Sequence, residues 1–137
     1  YYSYNGNYRN NNTNTAYGNT YTVDDIIGVA VDLTNSKLYF SKNGTWQDSG
    51  DPTSGATGTG AISITAVGST PLGSYFPAFN YQSSDAGVTN ANFGNGYFGT
   101  TAVSSAEADD AGIGAMEYDV PAGYYCLCTK NIKAYGG

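Results

Sequence analysis

Hydrophobic residues are concentrated in one stretch of the chain, residues 24–50, which read DDIIGVAVDLTNSKLYFSKNGTWQDSG. Its first apolar run, IIGVAVDL, is nearly continuous, which is typical of a β-strand with both faces covered. The turn residues TNS separate this run from KLYFSK, which we expect to be the partner strand. Asn43-Gly44 then predicts a two-residue hairpin, because a type I′ turn needs positive φ at both central positions. The pattern predicts two antiparallel strands and the start of a third, TWQD.

The rest of the chain is more polar, and its predicted elements are shorter. Residues 1–20 predict a short strand, a turn and then a polar loop. Residues 49–73 are dominated by Gly, Ser and Thr and predict a long loop that contains one short strand, AISITAV. The run SYFPAFNY, residues 74–81, predicts a further strand, and its Pro77 indicates an edge position or a bulge.

The C-terminal part carries the only helical candidate, VSSAEADDAGIG at residues 103–114. A serine near its start is a suitable N-cap, and its first glycine is a suitable end. Before it, VTNANFG at residues 88–94 alternates between two sets of side chains, which indicates an extended segment. After it, Pro121-Ala122-Gly123 predicts a turn and YYCLC a closing strand. We therefore expect an all-β antiparallel sandwich with long loops and at most one short helix.

Composition supports a folded domain of unusual surface chemistry. The chain has 137 residues, which is the size of one domain, and only 12% of them are charged, against about 25% in ordinary domains. Aromatic residues make up 15% and hydrophobic residues 40%, which argues against disorder. This balance favours a β-rich extracellular or virion-type protein over a cytosolic enzyme.

The charge pattern argues against nucleic acid as a partner, and the lack of a long apolar run argues against insertion into a membrane. The net charge is −6, with five scattered cations, so the cationic surface that nucleic-acid binding requires is not expected. No apolar run approaches the roughly 20 residues of a membrane helix, and we expect no membrane insertion.

Because the chain starts at Tyr1 without a methionine, it has the appearance of a fragment or a processed product.

The two cysteines, Cys126 and Cys128, fall on the predicted closing strand, where positions i and i+2 face the same side. A disulfide between them would close a strained ring, so we interpret them as two small buried side chains. One C-x-C in a sequence without histidine is a poor metal site.

Catalysis is not expected from this sequence. It contains no histidine, which excludes Ser-His-Asp and Cys-His arrangements. Paired carboxylates leave a carbohydrate-active enzyme as a third hypothesis, with Asp48 and Asp51 or Asp109 and Asp110 as candidates in predicted loops. Asp48 and Asp51 are also weak candidates for a structural calcium ion, although solvated loop acids explain them more simply. We predict no cofactor.

The run DDIIGVAVDLTNSKLYFSKNG resembles the SPRY family, whose hallmark is a D-x-I-G-V-x-x-D strand followed after a short turn by an L-x-F-x-K-N-G strand. A second block, YFPAFN followed by NFG, resembles the strand pair near the end of that domain. The resemblance implies that both strands lie in the core of a two-sheet sandwich, with close backbone approach at the glycine and register set by the turn. The residues that carry it are Asp25, Gly28, Asp32, Phe40, Asn43, Gly44, Phe93 and Gly94.

The closing run YDVPAGYYCLCTKNI resembles the end of SPRY-like modules in bacteriophage structural proteins, and the Tyr-rich residues 1–18 resemble the segment before their core strand. The family's opening strands are absent before Tyr1. The resemblance therefore implies one SPRY-like domain over residues 1–137, the larger C-terminal part of the full domain. The missing strands would come from upstream sequence or from a partner.

SPRY-like domains generally act as non-catalytic recognition modules that bind through long loops at one end of the sandwich. Carried over to this chain, those loops are residues 10–20, 45–60 and 81–87. Aromatic and polar side chains there suit adaptable contacts with rigid anchors, although Trp46 and the tyrosines are also explained by half-buried packing. The candidate binding residues are Trp46, Tyr17, Tyr8, Tyr81 and Asp85.

The leading hypothesis is a structural or attachment module of a phage-like particle, such as a tail fibre or a capsid decoration. It would be located in the virion and bind other virion proteins or host-surface glycan. Exposed strand edges favour an oligomer or a larger assembly. The alternative is a cellular, cytoplasmic SPRY module that binds a peptide.

Overall fold

A computed structural model of the protein describes residues 1–80 and 87–135. The chain divides into two compact units, Tyr1–Ser74 and Tyr75–Gly137, and each is described here by itself. The described residues contain eight strands, β1 to β8, and one short helix, α1. In chain order these are Asn7–Asn10, Thr13–Ala16, Ile27–Asp32, Lys37–Lys42, Thr45–Trp46, Ile62–Ser63, Tyr97–Phe98 and Thr101–Ala102, followed by the helix Thr129–Tyr135.

The first unit opens with an antiparallel hairpin of β1 and β2, in which Asn10 pairs with Thr13. Asn11 and Asn12 form its turn with φ of 45° and 64°, a left-handed conformation that asparagine tolerates better than most residues. The prediction of a polar loop over residues 10–20 is therefore wrong in its first half. The asparagine run turns the chain back into a second strand.

The main sheet follows the predicted order. β3 pairs antiparallel with β4, with Val29 opposite Phe40, and β5 and β6 pair with the two ends of β4. Asn43 and Gly44 have φ of 49° and 79°, which confirms the predicted two-residue turn with positive φ at both positions. This turn sets the register between β4 and β5.

One face of this sheet is well covered. Tyr39 is fully buried, and its ring lies 6.4 Å from that of Trp46 in an edge-on contact. The Tyr39 hydroxyl lies 3.5 Å from the Ser54 hydroxyl, so the segment of short 3₁₀ turns at Gln47–Ser49 and Pro52–Thr57 covers this face. On the same face a Cβ at Gly28 would collide with the Ser41 hydroxyl, so the glycine accommodates a buried side chain.

The opposite face is only partly covered. Tyr1 stacks on Phe40 with ring centroids 5.2 Å apart, but Val29 is 55% exposed and Val31 38% exposed. The expectation that the apolar strand is covered on both faces is therefore wrong for the described residues. The aromatic side chains on this face pack against Phe40 and leave Val29 and Val31 exposed to solvent.

The second unit contains the short hairpin of β7 and β8 and an isolated antiparallel bridge between Glu107 and Met116. Glu107 of that bridge lies within the predicted helix at residues 103–114, where no residue is helical, so the helix prediction is wrong. The Asp109 carboxylate accepts the N–H groups of Ala111 and Ile113 and bends the chain into a turn instead of a helix. Side chains of aspartate compete with helix formation in this way.

Three further predictions fail in the second unit. The described part of the 74–81 run and the 88–94 run form no strand, and neither does YYCLC, which is followed instead by the unpredicted helix α1. At the end of 88–94 the cause is visible, because the Asn92 Oδ1 atom accepts the Gly94 N–H at 2.7 Å and the Gly96 N–H at 3.3 Å. This side chain takes the place of a neighbouring strand.

Other expectations are confirmed. The predicted turn at Pro121-Ala122-Gly123 is present, with the Tyr124 N–H donating to the Pro121 carbonyl at 3.0 Å. Cys126 and Cys128 are both free thiols, as predicted, and the first is buried, but the second is only half-buried. The described strands all pair antiparallel and are accompanied by one short helix, as expected for the all-β class. No helix among residues 1–80 and 87–135 is long and apolar enough to cross a membrane.

Candidate binding site

A shallow groove of about 510 Å³ lies between two segments of the first unit, residues 16–19 and 45–49. The segments come from two of the loops that the sequence assigned to recognition. The groove brings together Tyr17, Trp46 and Asp48, which are separate in the sequence. Asn19, Asp48 and Ser49 present exposed side chains along its rim.

Gln47 joins the two walls of the groove. Its side chain is buried, and its Oε1 atom accepts the Asn19 N–H at 2.8 Å while its Nε2 donates to the Thr45 carbonyl at 2.9 Å. The Tyr1 hydroxyl lies 3.5 Å from the same Oε1 atom and also donates to the Asn19 carbonyl. A buried amide satisfied in this way fixes its neighbours, because an unpaired buried polar group is costly. The groove therefore has a defined shape.

Glycine at position 18 is required by this arrangement. A Cβ there would lie 2.7–2.8 Å from three atoms of the Gln47 side chain, which is closer than such atoms approach in folded proteins. Sequence reasoning missed both residues. The only signal was a glycine directly after an aromatic residue of the predicted loop, and a glutamine directly after the only tryptophan.

The second wall is locally strained. Asp48 and Ser49 both have positive φ, 55° and 52°, a region that costs side-chain-bearing residues about 1–3 kcal/mol each. The Gly50 N–H closes this turn by donating to the Gln47 carbonyl at 2.9 Å. Strained residues of this kind cluster at functional sites, and these two lie at the rim of the groove.

Tyr17 forms the floor of the groove rather than an exposed anchor. It is buried, and its hydroxyl accepts the Phe40 N–H at 3.1 Å. Burial raises the pKa of the Tyr17 hydroxyl, the hydrogen bond from Phe40 opposes that rise, and the nearby Asp48 carboxylate adds to it. The Tyr8 ring packs edge-on against Tyr17 at 5.9 Å, outside the groove lining. Tyr8 therefore supports the floor.

Trp46 is half-buried, which agrees with the packing interpretation of this residue, and it also lines the groove. The two remaining candidate binding residues, Tyr81 and Asp85, lie outside the described residues.

The weak metal candidates differ in their surroundings. The Asp51 carboxylate accepts the N–H and the hydroxyl of Thr53, at 2.9 and 2.6 Å, and so caps the following 3₁₀ turn. Asp48 is exposed at the groove. Within the part of the chain that the structure describes, no group of three or more His, Cys, Asp and Glu side chains is arranged to hold a metal ion.

A polar clasp, made of Asp25, Lys42 and Asn43, holds the entry to β3 against the β4–β5 turn. Asp25 forms an ion pair with Lys42 at 3.0 Å and accepts the Asn43 amide at 2.6 Å. The Asn43 Oδ1 atom in turn accepts the Ile26 N–H at 2.8 Å. The pKa of Asp25 is lowered, first by the hydrogen bond from the Thr22 N–H and then by those from Lys42 and Asn43.

The turn between β3 and β4 is organised in a similar way. Asp32 accepts the backbone N–H of Asn35 at 2.9 Å and its side-chain amide at 2.6 Å. These bonds lower the pKa of the Asp32 carboxyl. Both aspartates that the sequence singled out, Asp25 and Asp32, thus fix the chain at opposite ends of β3.

A second buried network lies in the second unit, around Asp109. Its carboxylate accepts the Cys126 N–H at 2.8 Å and the side-chain amide of Asn131 in α1. Burial acts to raise the pKa of Asp109, but these hydrogen bonds, with those from the Ile113 and Ala111 N–H groups, outweigh it and the pKa is lowered. Burial also raises the pKa of the Cys126 thiol, to about 11. The arrangement is a structural centre with an unreactive thiol.

The remaining motif residues, Phe93 and Gly94, lie beside this centre. Phe93 is 41% exposed. Gly94 has a φ of 105°, and a Cβ there would lie 3.0 Å from the Cys126 Cβ. Its position therefore requires glycine.

Comparison with protein families decides what these motifs belong to. The family model of the SPRY domain matches residues 1–94. The chain belongs to the SPRY domain family. Neither the curated proteins nor the solved structures gave a match. The SPRY match includes both walls of the groove, the polar clasp and the Asp32 turn.

Membership of the SPRY family indicates a protein-interaction module, since SPRY domains generally act in this way without catalysis. In this SPRY chain the hallmark residues of the family have structural roles: the clasp and the Asp32 turn hold the frame of the sheet. The groove side chains lie outside those motifs, at the end of β5 and on the connecting segments. Such a division is common, because loops on a rigid scaffold carry binding.

Proposed function

We propose that this SPRY domain is a non-catalytic recognition module of a phage-like particle and that the groove between residues 16–19 and 45–49 is its binding site. Its ligand is another virion protein or a glycan of the host surface. The observation that carries the proposal is the groove itself, where Gln47 fixes two predicted recognition loops side by side.

The chemistry of the groove suits recognition without catalysis. A half-buried tryptophan offers a flat apolar surface, and the rim adds an amide, a carboxylate and a hydroxyl from Asn19, Asp48 and Ser49. Rigid aromatic residues surrounded by adaptable polar groups are typical of binding surfaces. Asp48 is the single carboxylate of the groove lining, whereas glycoside hydrolysis needs a pair across the bond that is cleaved.

The proposal that the protein belongs to a phage-like particle rests on its sequence. The closing run YDVPAGYYCLCTKNI and the Tyr-rich start resemble SPRY-like modules of phage structural proteins. The low content of charged residues, 12%, is consistent with an exposed particle surface. On this basis we propose that the protein is located in the virion, as a tail-fibre or capsid-decoration component.

We also propose that the protein acts within an oligomer or a larger assembly. Among the described residues β3 pairs only with β4, and it bears the exposed Val29 and Val31. A strand with a free edge and an apolar face favours pairing with another chain.

Trp46 provides a direct test of the groove, because it is the only tryptophan in the sequence. Titration with host-surface polysaccharide and, separately, with disassembled particle proteins should shift its fluorescence emission. Asn19→Ala and Asp48→Ala should weaken that response, whereas Asp110→Ala, an exposed acid of the second unit, should not. Binding that persists unchanged in both groove variants would place the site elsewhere.

Immunogold labelling of particles from the source material tests the particle assignment. Gold at fibre or tail tips would support attachment, and gold over the head would support decoration. Particles without label would refute the virion proposal.

SPRY membership itself favours a second candidate, a cytoplasmic interaction module that binds a short peptide of a cellular partner. This candidate predicts that the groove variants lose binding to a peptide from a cell extract while particles from the same source remain unlabelled. The two experiments together separate the candidates.

A further inference from the structure

The sequence contains three Asn-Gly pairs, Asn5-Gly6, Asn43-Gly44 and Asn95-Gly96. In such a pair the glycine nitrogen can reach the side-chain carbonyl carbon of the asparagine, because glycine has no Cβ to obstruct the approach. This reaction converts asparagine to aspartate or isoaspartate without an enzyme. The three pairs differ in how firmly the fold holds the reacting groups.

Asn5-Gly6 is held on both sides of the reacting bond. The Asn5 Oδ1 atom accepts the Asn7 N–H at 3.0 Å, and the Gly6 N–H donates to the Tyr2 carbonyl at 3.0 Å. Gly6 is buried, and its Cα packs so closely against the Gly18 carbonyl that a Cβ would collide with it. The backbone therefore has no room to rotate towards the side chain.

Asn43-Gly44 is exposed, but the polar clasp occupies the Asn43 side chain completely. Its Oδ1 atom accepts the Ile26 N–H at 2.8 Å, its Nδ2 donates to Asp25 at 2.6 Å, and its own N–H donates to the Ile26 carbonyl at 2.8 Å. To react, the side chain must break two short hydrogen bonds, one of them to a charged group. Such bonds contribute more than neutral ones.

The backbone of Asn95-Gly96 is anchored, because Gly96 is buried and its carbonyl accepts the Val103 N–H at 2.9 Å, but the contacts of its two reacting groups are long. The Asn95 side chain is exposed, and its Oδ1 atom accepts the Tyr97 N–H at 3.3 Å. The reacting Gly96 N–H donates to the Asn92 Oδ1 atom, also at 3.3 Å. Both distances exceed the usual range for N–H···O bonds, so the Asn95 side chain is held less firmly than the side chains of Asn5 and Asn43.

We propose that Asn95 is the site at which the folded protein deamidates spontaneously, and that the polar clasp protects Asn43 from the same reaction. The Gly96 nitrogen loses its proton to solvent and forms a bond to the Asn95 Cγ atom. The bond from Cγ to Nδ2 breaks, and that nitrogen leaves as ammonia after taking up a proton. Water then adds to either carbonyl of the cyclic imide and opens it to aspartate or isoaspartate.

Deamidation would have different structural consequences at Asn95 and at Asn43. At Asn95 the product adds a negative charge in an exposed turn. At Asn43 the product would place a carboxylate against the Asp25 carboxylate, where an amide now donates a hydrogen bond. Like charges at that distance repel, so protection of Asn43 preserves the clasp.

The test is incubation of the folded chain in mildly alkaline buffer, digestion at aromatic residues, and mass spectrometry of the peptides. Aromatic residues separate the three pairs along the chain, so each pair is measured independently. We expect the Asn95 peptide to convert several-fold faster than the other two. Equal conversion of all three, or faster conversion at Asn43 or Asn5, would overturn the proposal.

Three comparisons show whether the fold causes the difference in deamidation rate among the three asparagines. In denaturant the three pairs should convert at similar rates, and a preserved ranking there would refute a structural cause. In the folded chain, Asp25→Ala removes the acceptor of the Asn43 amide and should raise conversion at Asn43 several-fold without changing Asn95. Asn95→Gln should abolish the fast component, and its persistence would assign that component to another residue.

Discussion

The Oε1 atom of the buried Gln47 side chain accepts the backbone N–H of Asn19 at 2.8 Å, and this bond joins two segments that are 28 residues apart. Replacement of Gln47 by methionine keeps the volume but leaves the Asn19 N–H without its acceptor. We expect a loss of about 1–3 kcal/mol in the free energy of unfolding, together with a red shift of Trp46 emission as the adjacent wall loosens. Urea unfolding followed by fluorescence measures both, and unchanged stability would show that the bond is dispensable.

Gly18→Ala should be destabilising, because the added Cβ would lie 2.7–2.8 Å from the Gln47 side chain. Overpacking of this kind costs about 1–3 kcal/mol. Gly68→Ala is the matched control, since a Cβ at Gly68 meets nothing within 4 Å. Thermal unfolding of the two variants should separate them clearly, and a stable Gly18→Ala would mean that Gln47 can move aside.

The polar clasp should make stability depend on acid pH. The folded-state pKa of Asp25 lies below its ordinary value of 3.8, so its stabilising contribution is fully present above that value. The contribution is lost as the pH falls through the lowered, folded-state pKa. Asp25→Asn should therefore be less stable than the wild type at neutral pH.

The other lowered carboxyl groups, Asp32, Asp109 and Glu117, are common to the wild type and Asp25→Asn. The difference between the two urea midpoints consequently isolates Asp25. It should shrink as both proteins are brought to a pH at which Asp25 is protonated. A difference that stays constant down to that pH would refute the role of the charged form.

The stability of the network around Asp109 should require a carboxylate at this position, and an amide of the same size should not replace it. In Asp109→Asn one of the two oxygens becomes an NH₂ group, which must face donors in either orientation: the Cys126 N–H and the Asn131 amide on one side, or the Ala111 and Ile113 N–H groups on the other. We expect a loss of about 1–3 kcal/mol from buried donors left unpaired and faster hydrogen exchange at the backbone N–H groups that lose their acceptor. Asp110→Asn, an exposed neighbour, should unfold like the wild type.

The sequence predicted the main sheet well because its signals are local. The Asn43-Gly44 turn needs only two adjacent residues to adopt positive φ, and the alternation on either side of it sets the pairing of β4 with β5. Two of the residues predicted for binding, Tyr17 and Trp46, lie together at the groove, because Trp46 belongs to β5 of that sheet and Tyr17 packs against it through Phe40.

The second unit was predicted poorly because side chains of Asn and Asp replace regular hydrogen bonding there. Asn92 accepts the N–H groups of Gly94 and Gly96, and Asp109 accepts those of Ala111 and Ile113. No periodic pattern distinguishes such residues from solvated loop acids and amides. Gln47 was missed for a related reason, since its partner Asn19 is distant in the sequence and only the fold brings the two together.

The hydrogen bond that the Tyr17 hydroxyl accepts from Phe40 also protects an edge of the main sheet. β5 and β6 pair with opposite ends of β4, and the Phe40 N–H between them donates to Tyr17. The Tyr17 hydroxyl therefore pairs with the backbone N–H that lies between β5 and β6 on this side of β4. Another peptide could otherwise begin to add as a strand at this position. Tyr17→Phe would leave that N–H unpaired, so Tyr17 protects the edge of β4 against aggregation in addition to forming the floor of the groove.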